Sequence, residues 1–322
     1  MMNNFKEQIE KYRDTINSDL KKVYSSGPES LNHPINHVLN GKGKRLRPIL
    51  SLIICDMNSV PEESSLPAAL AMEILHNFTL IHDDIMDKDL VRHGIETVHS
   101  KWDENTAILA GDAMLAVSMR LLTNANYGNS ALILNTYVKG LLAVCEGQAY
   151  DIEFEKKPYV NLKEYENMIY LKTAYMIGLS SQIGGMVSNL SDKECEKLKI
   201  FGESLGMAYQ VQDDILELFS EKDTMNKSLE SDILLKKKTF LWASIEDKDD
   251  INRLESIMTK FPEDKVVYLK ELRKFVEILG VRDKANSFIS NKIKIANDIL
   301  STLNGNSEML QYFSDLITRR KK

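Results

Sequence analysis

The chain of 322 residues contains few of the residues that interrupt helices or cross-link loops, with 7 prolines, 15 glycines and 3 cysteines. Cys55, Cys145 and Cys195 are odd in number and widely spaced, so they match neither a disulfide framework nor a zinc motif. We therefore expect reduced, buried thiols in a cytoplasmic protein. The net charge of −6 provides no general basic face, which argues against a nucleic-acid partner.

Long apolar runs and strand-like patterns are also missing. The N-terminal stretch is charged throughout, unlike a signal peptide, and no run approaches the roughly 18 apolar residues of a transmembrane helix. Val, Ile and Thr do not alternate with polar residues; instead, apolar residues recur at spacings of three and four. Helix breakers separate the periodic segments, among them Pro48, Pro67 and Pro158. The pattern predicts one all-α domain spanning residues 1–322.

Two acidic clusters interrupt this helical background. The segments LIHDDIMDKDLVRHG and AYQVQDDILELFSE each carry acidic residues at relative positions i, i+1 and i+4. The clusters are Asp83, Asp84 and Asp87 in the first segment, and Asp213, Asp214 and Glu217 in the second. Aspartate is unfavourable in a helix interior, and a spacing of four places two carboxylates of each cluster on one helix face.

The apolar flanks of both clusters favour a metal site over a solvated acidic face. Isoleucine, leucine and methionine surround the carboxylates, which are therefore predicted to point into the protein or into a cleft. Crowded carboxylates raise one another's pKa unless a cation binds them. Ligands that are all oxygen suit Mg²⁺, which completes its shell with waters and substrate phosphates. Two facing clusters in a bundle are predicted to clamp a diphosphate.

Cations for a phosphate are present as well. The run NGKGKRLRPIL contains Lys42, Lys44, Arg45 and Arg47 and leads directly into an apolar helix. A helix entrance suits an anion, although a basic run on its own is usually just solvated. Further cations occur at Arg92, Lys172, Lys227, Lys236, Lys237 and Lys238.

With these motifs the chain resembles the trans-isoprenyl diphosphate synthases of the polyprenyl synthetase family, from about residue 40 to residue 240. GKGKRLRP is similar to the family's GGKRxRP, with Lys42 in place of the first glycine. The resemblance implies a single helical bundle around a deep central cavity. It implies condensation of isopentenyl diphosphate with allylic diphosphates (dimethylallyl, geranyl or farnesyl) by ionisation, condensation and elimination. It also implies a cytoplasmic homodimer with three Mg²⁺ ions per active site, for which Mn²⁺ can substitute.

The same resemblance assigns roles to individual residues. The residues implied to bind isopentenyl diphosphate are Lys44, Arg47, His76 and His93. Those implied to bind the allylic diphosphate are Arg92, Lys172, Gln210, Lys227 and Lys237, and Thr173 is also implied to bind substrate. The metal ligands would be Asp83, Asp84, Asp87, Asp213, Asp214 and Glu217. Catalysis would rest on Asp83, Asp84, Asp87, Lys172, Asp213 and Lys237, and Gln148 and Asp151 also match the family.

Besides Lys42, three positions depart from the family pattern. His93 stands where arginine is usual, and because histidine is only partly charged near neutrality, the isopentenyl site would be weaker or pH-dependent. Glu217 stands where aspartate is usual, and its extra methylene still allows it to reach a metal. Lys236 replaces a glycine, which would shift Lys237.

The length of the product is predicted from the helix that precedes the first acidic cluster. Phe78 lies five residues before Asp83, and its neighbour Thr79 is small. In the family, one aromatic residue at this position, without an insertion in the acidic motif, goes with a C20 product. The resemblance therefore implies geranylgeranyl diphosphate as the main product, with farnesyl diphosphate (C15) as the alternative. Taken alone, Phe78 would be an ordinary core residue.

Other classes of protein share some of these features. A class I terpene cyclase also has an aspartate motif, and Glu221 occupies a suitable second position, but a cyclase has no use for GKGKRLRP. A di-iron carboxylate bundle needs two Glu-x-x-His pairs on separate helices. The pairs present, Glu73 with His76 and Glu96 with His99, are too close in the chain. An inactive subunit of a heteromeric synthase typically lacks an acidic motif, and this chain keeps both.

Overall fold

A computed structural model describes residues 2–125, 127–219, 237–259, 265–305 and 307–318. These residues are almost entirely helical, which confirms the all-α prediction. The helices before the first acidic cluster and the one that carries it are α1 (Met2–Leu20), α2 (Glu29–Leu39), α3 (Leu46–Met57) and α4 (Glu62–Asp87). Those that follow are α5 (Val98–Lys101), α6 (Glu104–Asn124), α7 (Ser130–Lys156), α8 (Leu162–Ile169), α9 (Tyr175–Val187) and α10 (Asp192–Phe219). The last described helices are α11 (Phe240–Ala243), α12 (Lys248–Thr259), α13 (Lys265–Ile278), α14 (Val281–Leu300) and α15 (Glu308–Thr318).

The contacts of the backbone divide the chain into two compact units. The first unit comprises Met1–Leu142, Ile177–Gly202 and Ile299–Ser314, and the second comprises Ala143–Met176, Glu203–Asp298 and Asp315–Lys322. Each acidic cluster belongs to a different unit: the first lies on α4 and the second on α10. That the whole chain forms one domain stays a prediction.

The first unit is built around α3, α4 and α6. Helix α3 is buried from Pro48 to Cys55, as expected for a helix that is apolar on nearly every side. Helix α4 packs against both α3 and α6. Helix α6 begins where the carboxylate of Asp103 accepts a hydrogen bond of 2.7 Å from the backbone N–H of Thr106, a standard N-cap. These contacts hold the end of α4, and with it the first acidic cluster.

The second unit has its own apolar core. Buried side chains from the end of α7, from α8, α10 and α11, and from the later helices form one cluster; its members include Phe154, Tyr165, Val211, Phe240 and Phe275. A capping box begins α8, in which Asn161 and Glu164 accept hydrogen bonds from each other's backbone N–H groups. Between α8 and α9, residues Tyr170–Ala174 form a π-helical turn.

A short β-hairpin follows the first acidic cluster, and sequence patterns did not predict it. The strands β1 (Val91–Arg92) and β2 (Ile95–Glu96) pair antiparallel. The turn consists of His93 (φ 50°) and Gly94 (φ 82°), two residues with positive φ, which is the geometry that suits a tight hairpin. Asparagine or aspartate usually precedes glycine in such turns, so His-Gly carries only a weak signal.

Three other local predictions are corrected by the structure. Pro48 and Pro67 were expected between helices, but Pro48 lies in the first turn of α3 and Pro67 lies inside α4. A proline in the first turn is well tolerated because its missing N–H would have no intrahelical partner there. Of the three cysteines, Cys55 and Cys195 are buried as expected, whereas Cys145 is exposed on α7. None of the three cysteines forms a disulfide bond.

Helix α6 is the one helix among the described residues that is long and apolar enough to cross a membrane by length and composition. In its most apolar window, 39% of the residues are buried. The helix packs against α4, and Gly111 on α6 lies in close contact with His82 on α4. An internal helix of a folded unit satisfies the same criteria of length and composition.

Candidate active site

The first acidic cluster occupies the last turn of α4. The helix ends at Asp87, and Lys88 follows in the left-handed conformation with φ 57°. Asp84 is buried with 5% of its surface exposed, while Asp83 and Asp87 are half-buried. Carboxylates at a helix C-terminus oppose the helix dipole, so three of them in one terminal turn reduce helix stability. Their position therefore suggests a role other than stabilising the fold.

Asp84 is paired with the cation that the hairpin carries. The Nε atom of Arg92 donates to Oδ1 of Asp84, and its Nη2 atom donates to Oδ2 of Asp89 at 3.3 Å. The hydroxyl of Thr97 donates to the carbonyl oxygen of Asp89 at 2.7 Å and so ties the hairpin to the end of α4. Burial raises the pKa of Asp84 to about 6, although the Arg92 cation opposes this rise. Arg92, predicted to bind the allylic diphosphate, thus lies next to a predicted metal ligand.

The cations of the basic run Lys42–Arg47 do not all point to the same surroundings. Arg45 is turned inward, where its Nη1 atom donates to Oε1 of Glu73 at 2.7 Å, and both side chains are almost completely buried. Its other nitrogen atoms donate to the carbonyl oxygens of Leu39 and Gly41 and to the side chain of Asn17. Arg45 therefore holds the loop in place. Of the remaining cations, Lys42 and Lys44 are exposed and Arg47 is half-buried.

His76 lies among these cations as a neutral imidazole. Burial, and then the charges of Arg47 and Arg92, lower the pKa of His76 well below the usual value. Its Nδ1 atom is buried, and within the described parts of the chain it has no hydrogen-bond partner. A buried polar nitrogen in a cationic environment fits a site for an anion. This supports the prediction that His76 contacts a diphosphate.

His93, at the tip of the hairpin, belongs to the same cationic region. Partial burial, and then the charges of Arg92 and Lys44, lower the pKa of His93. The side chain is therefore mostly neutral at pH 7, whereas the family usually has a permanent cation at this position.

Glu73 also bears on the di-iron alternative. Its carboxylate accepts hydrogen bonds from Arg45 and, at 3.2 Å, from Nδ2 of Asn77. The second predicted pair begins at Glu96, which is exposed on β2 and not on a helix. These residues therefore do not form the two facing Glu-x-x-His helices that a di-iron site needs.

The second acidic cluster lies near the end of α10 and is held by neutral donors. Asp214 accepts hydrogen bonds from the hydroxyl of Tyr165 at 2.7 Å, from the backbone N–H of Phe240 at 2.8 Å and from Nε2 of Gln210 at 3.0 Å. Burial raises the pKa of Asp214 to about 6, and these hydrogen bonds oppose the rise. The network ties α10 to α8 and α11. Asp213 and Glu217, the other members of the cluster, are half-buried.

Two lysines of the second unit converge on Asp151. The Nζ atom of Lys172 lies 2.6 Å from Oδ2 of Asp151, and Nζ of Lys237 lies 3.0 Å from the same oxygen and 2.9 Å from Oε1 of Glu155. Burial alone would raise the pKa of Asp151, but the charges of Lys172 and Lys237 outweigh burial and lower it. Asp151 thus holds two predicted diphosphate ligands side by side.

Two glycines allow the π-helical turn to approach its neighbours. A Cβ atom on Gly147 of α7 would lie 2.3 Å from the backbone nitrogen of Lys172, and one on Gly206 of α10 would lie 2.5 Å from the Cα of Ala174. The turn is therefore in backbone contact with α7 and with α10. This contact also brings the hydroxyl of Thr173 to 2.9 Å from Oε1 of Gln210.

Sequence reasoning missed several residues of this arrangement. Gly147, in the middle of a helix that contains Gln148 and Asp151, is a detectable signal, because glycine weakens a helix unless close packing requires it. The roles of Tyr165, Glu155 and Asp89 have no local signature. The predicted positions Lys227, Lys236 and Glu221 lie outside the described residues.

The residues of the acidic clusters fit Mg²⁺ by the chemistry of their donors. Within the described ranges, no group of three or more His, Cys, Asp and Glu side chains comes together as a preformed metal site. Mg²⁺ does not need such a group, since it usually binds through one or two carboxylates and otherwise uses water and phosphate oxygens. Half-buried carboxylates one helical turn apart, Asp83 with Asp87 and Asp213 with Glu217, are donors of this kind.

Comparison with known proteins agrees with this chemistry. The chain belongs to the polyprenyl synthetase family, because the model of that family, described as polyprenyl synthetase, matches residues 28–275. This match is longer than the stretch from about residue 40 to residue 240 that carries the sequence motifs. The protein is therefore a prenyltransferase, a class whose members generally depend on Mg²⁺ and act on isoprenyl diphosphates.

Relatives of known name and structure cover the chain along its length. The geranylgeranyl diphosphate synthase of Sulfolobus acidocaldarius is 32% identical over 100% of both chains. The enzyme of the same name from Saccharolobus solfataricus is 37% identical over 71% of this chain and 70% of its own. The crystal structure of geranylgeranyl pyrophosphate synthetase from Pyrococcus horikoshii has a TM-score of 0.90 at 30% identity, covering 99% of each chain. The all-helical fold is that of a solved prenyl synthase.

Proposed function

We propose that this protein is a short-chain trans-prenyltransferase that condenses isopentenyl diphosphate with allylic diphosphates and makes geranylgeranyl diphosphate as its main product. The observation that carries the proposal is the repeated combination of half-buried carboxylates with nearby cations. The first unit has the half-buried Asp83 near Arg92, which also pairs with Asp84, and the second unit has Asp213 and Glu217 in addition to Lys172 and Lys237. A diphosphate needs both metal-binding carboxylates and cations.

In this proposal the two acidic clusters bind three Mg²⁺ ions per active site, and Mn²⁺ can substitute. The ligands are Asp83, Asp84, Asp87, Asp213, Asp214 and Glu217. When bound, the metal neutralises charge on the diphosphate and makes it a better leaving group. Asp84 and Asp214 have a second task, since each also accepts hydrogen bonds from the protein. Dialysis against EDTA should abolish condensation, and full activity of metal-free protein would refute this part.

The side chains of the protein bind and orient the two substrates. The allylic diphosphate is held by Arg92, Lys172, Thr173, Gln210, Lys227 and Lys237. Asp151 keeps Lys172 and Lys237 together, so both ammonium groups stabilise the charge that develops as the carbon–oxygen bond breaks. The diphosphate of the second substrate is held by Lys44, Arg47, His76 and His93. Neutral His76 donates one N–H to it.

The reaction then needs no nucleophile from the protein. The allylic cation left by ionisation is attacked by the carbon–carbon double bond of isopentenyl diphosphate, which forms the new carbon–carbon bond. A proton is then lost to the departed diphosphate, and a new double bond forms. This reaction requires an apolar tunnel that holds the growing chain and excludes water, which would otherwise quench the cation.

Phe78 is the residue proposed to end chain growth. It is 8% exposed on α4, roughly 7.5 Å along the helix from Asp83 at 1.5 Å per residue. Thr79, next to it, is hydrogen-bonded to the carbonyl oxygen of His76 at 2.8 Å, so its hydroxyl is satisfied within α4. One bulky ring and one small neighbour favour a C20 product, and farnesyl diphosphate (C15) is the alternative.

The test is an analysis of product lengths made by purified protein and two variants. The parent should release mainly C20 alcohols after dephosphorylation. Phe78→Ala should extend the products beyond C20, and Thr79→Phe should shorten them towards C15. A parent that makes mainly C15, or a Phe78→Ala variant with the parent's product pattern, would refute the assignment of Phe78.

A cytoplasmic homodimer is part of the proposal, and the first unit has a surface that supports it. Large apolar side chains are exposed on α6 and α7, namely Ile108, Leu109, Leu132, Val138 and Leu142. Such residues are usually covered in the working form of a protein. Sedimentation equilibrium should give twice the mass of the chain, and Leu109→Glu with Leu142→Glu should shift it towards the monomer. A monomeric parent would refute the homodimer.

A further inference from the structure

The ring of Phe78 rests against a second ring on the same helix. The imidazole of His82 lies one helical turn further along α4, with its centroid 4.8 Å from that of Phe78 and an angle of 63° between the planes. This edge-to-face arrangement is the favourable geometry for a pair of aromatic rings. A conformational change of Phe78 towards His82 is therefore possible only if the imidazole moves away.

The imidazole of His82 is held in turn by a glycine on the neighbouring helix. A Cβ atom at Gly111 of α6 would lie 2.3 Å from Nε2 of His82, closer than any real side chain allows. The imidazole thus occupies the space that any other residue at position 111 would fill. Its Nε2 atom also lies 3.4 Å from the carbonyl oxygen of Ile108, one turn earlier on α6. Helix α6 therefore determines where His82 lies.

We propose that His82, seated against Gly111, is a positioning residue that sets the length of the product by keeping the ring of Phe78 in place. The inference rests on the proposed function, in which Phe78 ends chain growth. A growing apolar chain presses against this ring, and a ring without a lateral partner can turn aside. The specificity of the site is then shared between α4 and α6. His82 touches no reacting atom and acts only through Phe78.

The experiment measures the ratio of C25 to C20 products for His82→Ala and Gly111→Ala. The first variant removes the imidazole, and the second displaces it with one added methyl group. Each should raise the ratio roughly two- to tenfold, the factor that corresponds to the loss of one aromatic contact. The rate of isopentenyl diphosphate consumption should change much less than the ratio, because no substrate-binding group is altered.

Matched controls separate this effect from general loss of stability. Gly128→Ala also adds a methyl group, but no atom lies within 4 Å of its Cβ position, so the ratio should stay at the parent value. Leu122→Ala truncates a fully buried residue at the far end of α6 and should lower the melting temperature without changing the ratio. A shift in the ratio for either control would overturn the proposal.

A double variant tests whether His82 acts through Phe78. Phe78→Ala combined with His82→Ala should give the same ratio as Phe78→Ala alone, because the ring to be positioned is gone. If Phe78→Ala lengthens the products but His82→Ala and Gly111→Ala do not, the role of His82 is refuted while the proposed function stands. If Phe78→Ala itself has no effect, the proposed end of chain growth is refuted, and the inference with it.

Discussion

The two acidic turns have the same sequence pattern but satisfy the carboxylate of their second aspartate in different ways. In the first unit, Asp84 is paired with a cation, Arg92, which a short hairpin carries. In the second unit, Asp214 accepts hydrogen bonds from three neutral donors, of which Tyr165 and Phe240 lie on other helices. Both carboxylates have a pKa raised to about 6 by burial.

The difference shows that one motif can serve two structural purposes. Arg92 is also a proposed ligand of the allylic diphosphate, so the carboxylate of the first turn shares its partner with the substrate. Among the partners of Asp214, Gln210 is also a proposed ligand of the allylic diphosphate. Tyr165 and the backbone N–H of Phe240 have no such second use, and they tie α10 to α8 and α11. We therefore expect the stability of the first turn to depend mainly on Arg92. The second turn should lose less stability when one of the three donors to Asp214 is removed.

The largest effect is expected from the half-buried carboxylates. Asp83→Ala and Asp213→Ala should each lower the turnover number by roughly 10³-fold, because each removes charge stabilisation at the departing diphosphate. Circular dichroism and the melting temperature of the metal-free protein should stay near the parent values, since losing one of several like charges relieves repulsion.

Exposed acidic residues in each unit provide the controls. Asp112→Ala on α6 and Glu271→Ala on α13 remove an exposed carboxylate from the first and the second unit, respectively. Their turnover should stay within a factor of about two, as for most surface substitutions. Loss of stability with little loss of rate in Asp83→Ala or Asp213→Ala would instead indicate a structural role.

The next largest effect is expected on stability, which chemical denaturation measures for Arg92→Ala and for Tyr165→Phe. Arg92→Ala leaves the buried Asp84 without its cation and should lower the free energy of unfolding by about 2–3 kcal/mol. Tyr165→Phe removes one of three hydrogen bonds to Asp214 and should cost about 1 kcal/mol. Equal losses in both variants would mean that the two turns are not held differently.

The raised pKa values predict how stability depends on pH in metal-free protein. An unfolded Asp has a pKa near 3.8, and the folded value for Asp84 and Asp214 is about 6. Between these values the folded state binds more protons, so each carboxylate favours folding more as the pH falls from 7 to 4. In the parent, each carboxylate should make the free energy of unfolding about 2 kcal/mol larger at pH 4 than at pH 7. Asp84→Asn and Asp214→Asn should each abolish the contribution of one carboxylate.

The quantity to compare is the difference in the free energy of unfolding between parent and variant, measured by chemical denaturation across the pH range. His76, whose pKa is lowered, acts in the opposite direction, since its contribution is lost as the pH falls below the normal imidazole value. It is present in parent and variants alike, so it cancels in the difference. A difference that does not vary between pH 4 and 7 would contradict the raised pKa values.

The smallest effect is expected at the tip of the hairpin. Because the pKa of His93 is lowered, its imidazole is mostly neutral at pH 7, and His93→Arg supplies a permanent charge. The variant should lower the KM for isopentenyl diphosphate by a few-fold and reduce the dependence of KM on pH. His33→Arg, at an exposed position on α2, should change neither quantity. An unchanged KM in His93→Arg would show that this side chain does not contact the substrate.

The sequence alone determined the features that depend on nearby residues. The spacing of apolar side chains predicted an all-helical chain, and the repeated i, i+1, i+4 pattern located both acidic turns. The similarity of GKGKRLRP and of the acidic motifs to one family predicted the prenyltransferase class. These signals are readable because periodicity and motif spacing are local properties of the chain.

Only the tertiary structure decided which partner each polar group takes. Arg45 and Arg47 belong to one basic run, yet Arg45 turns inward to Glu73, and the run itself does not distinguish them. Asp214 is bound by Tyr165 and Phe240, which are distant in the chain, and Lys172 reaches Asp151 only because Gly147 allows two backbones to touch. Buried polar groups must find partners wherever packing brings them, and packing joins residues that no local pattern connects.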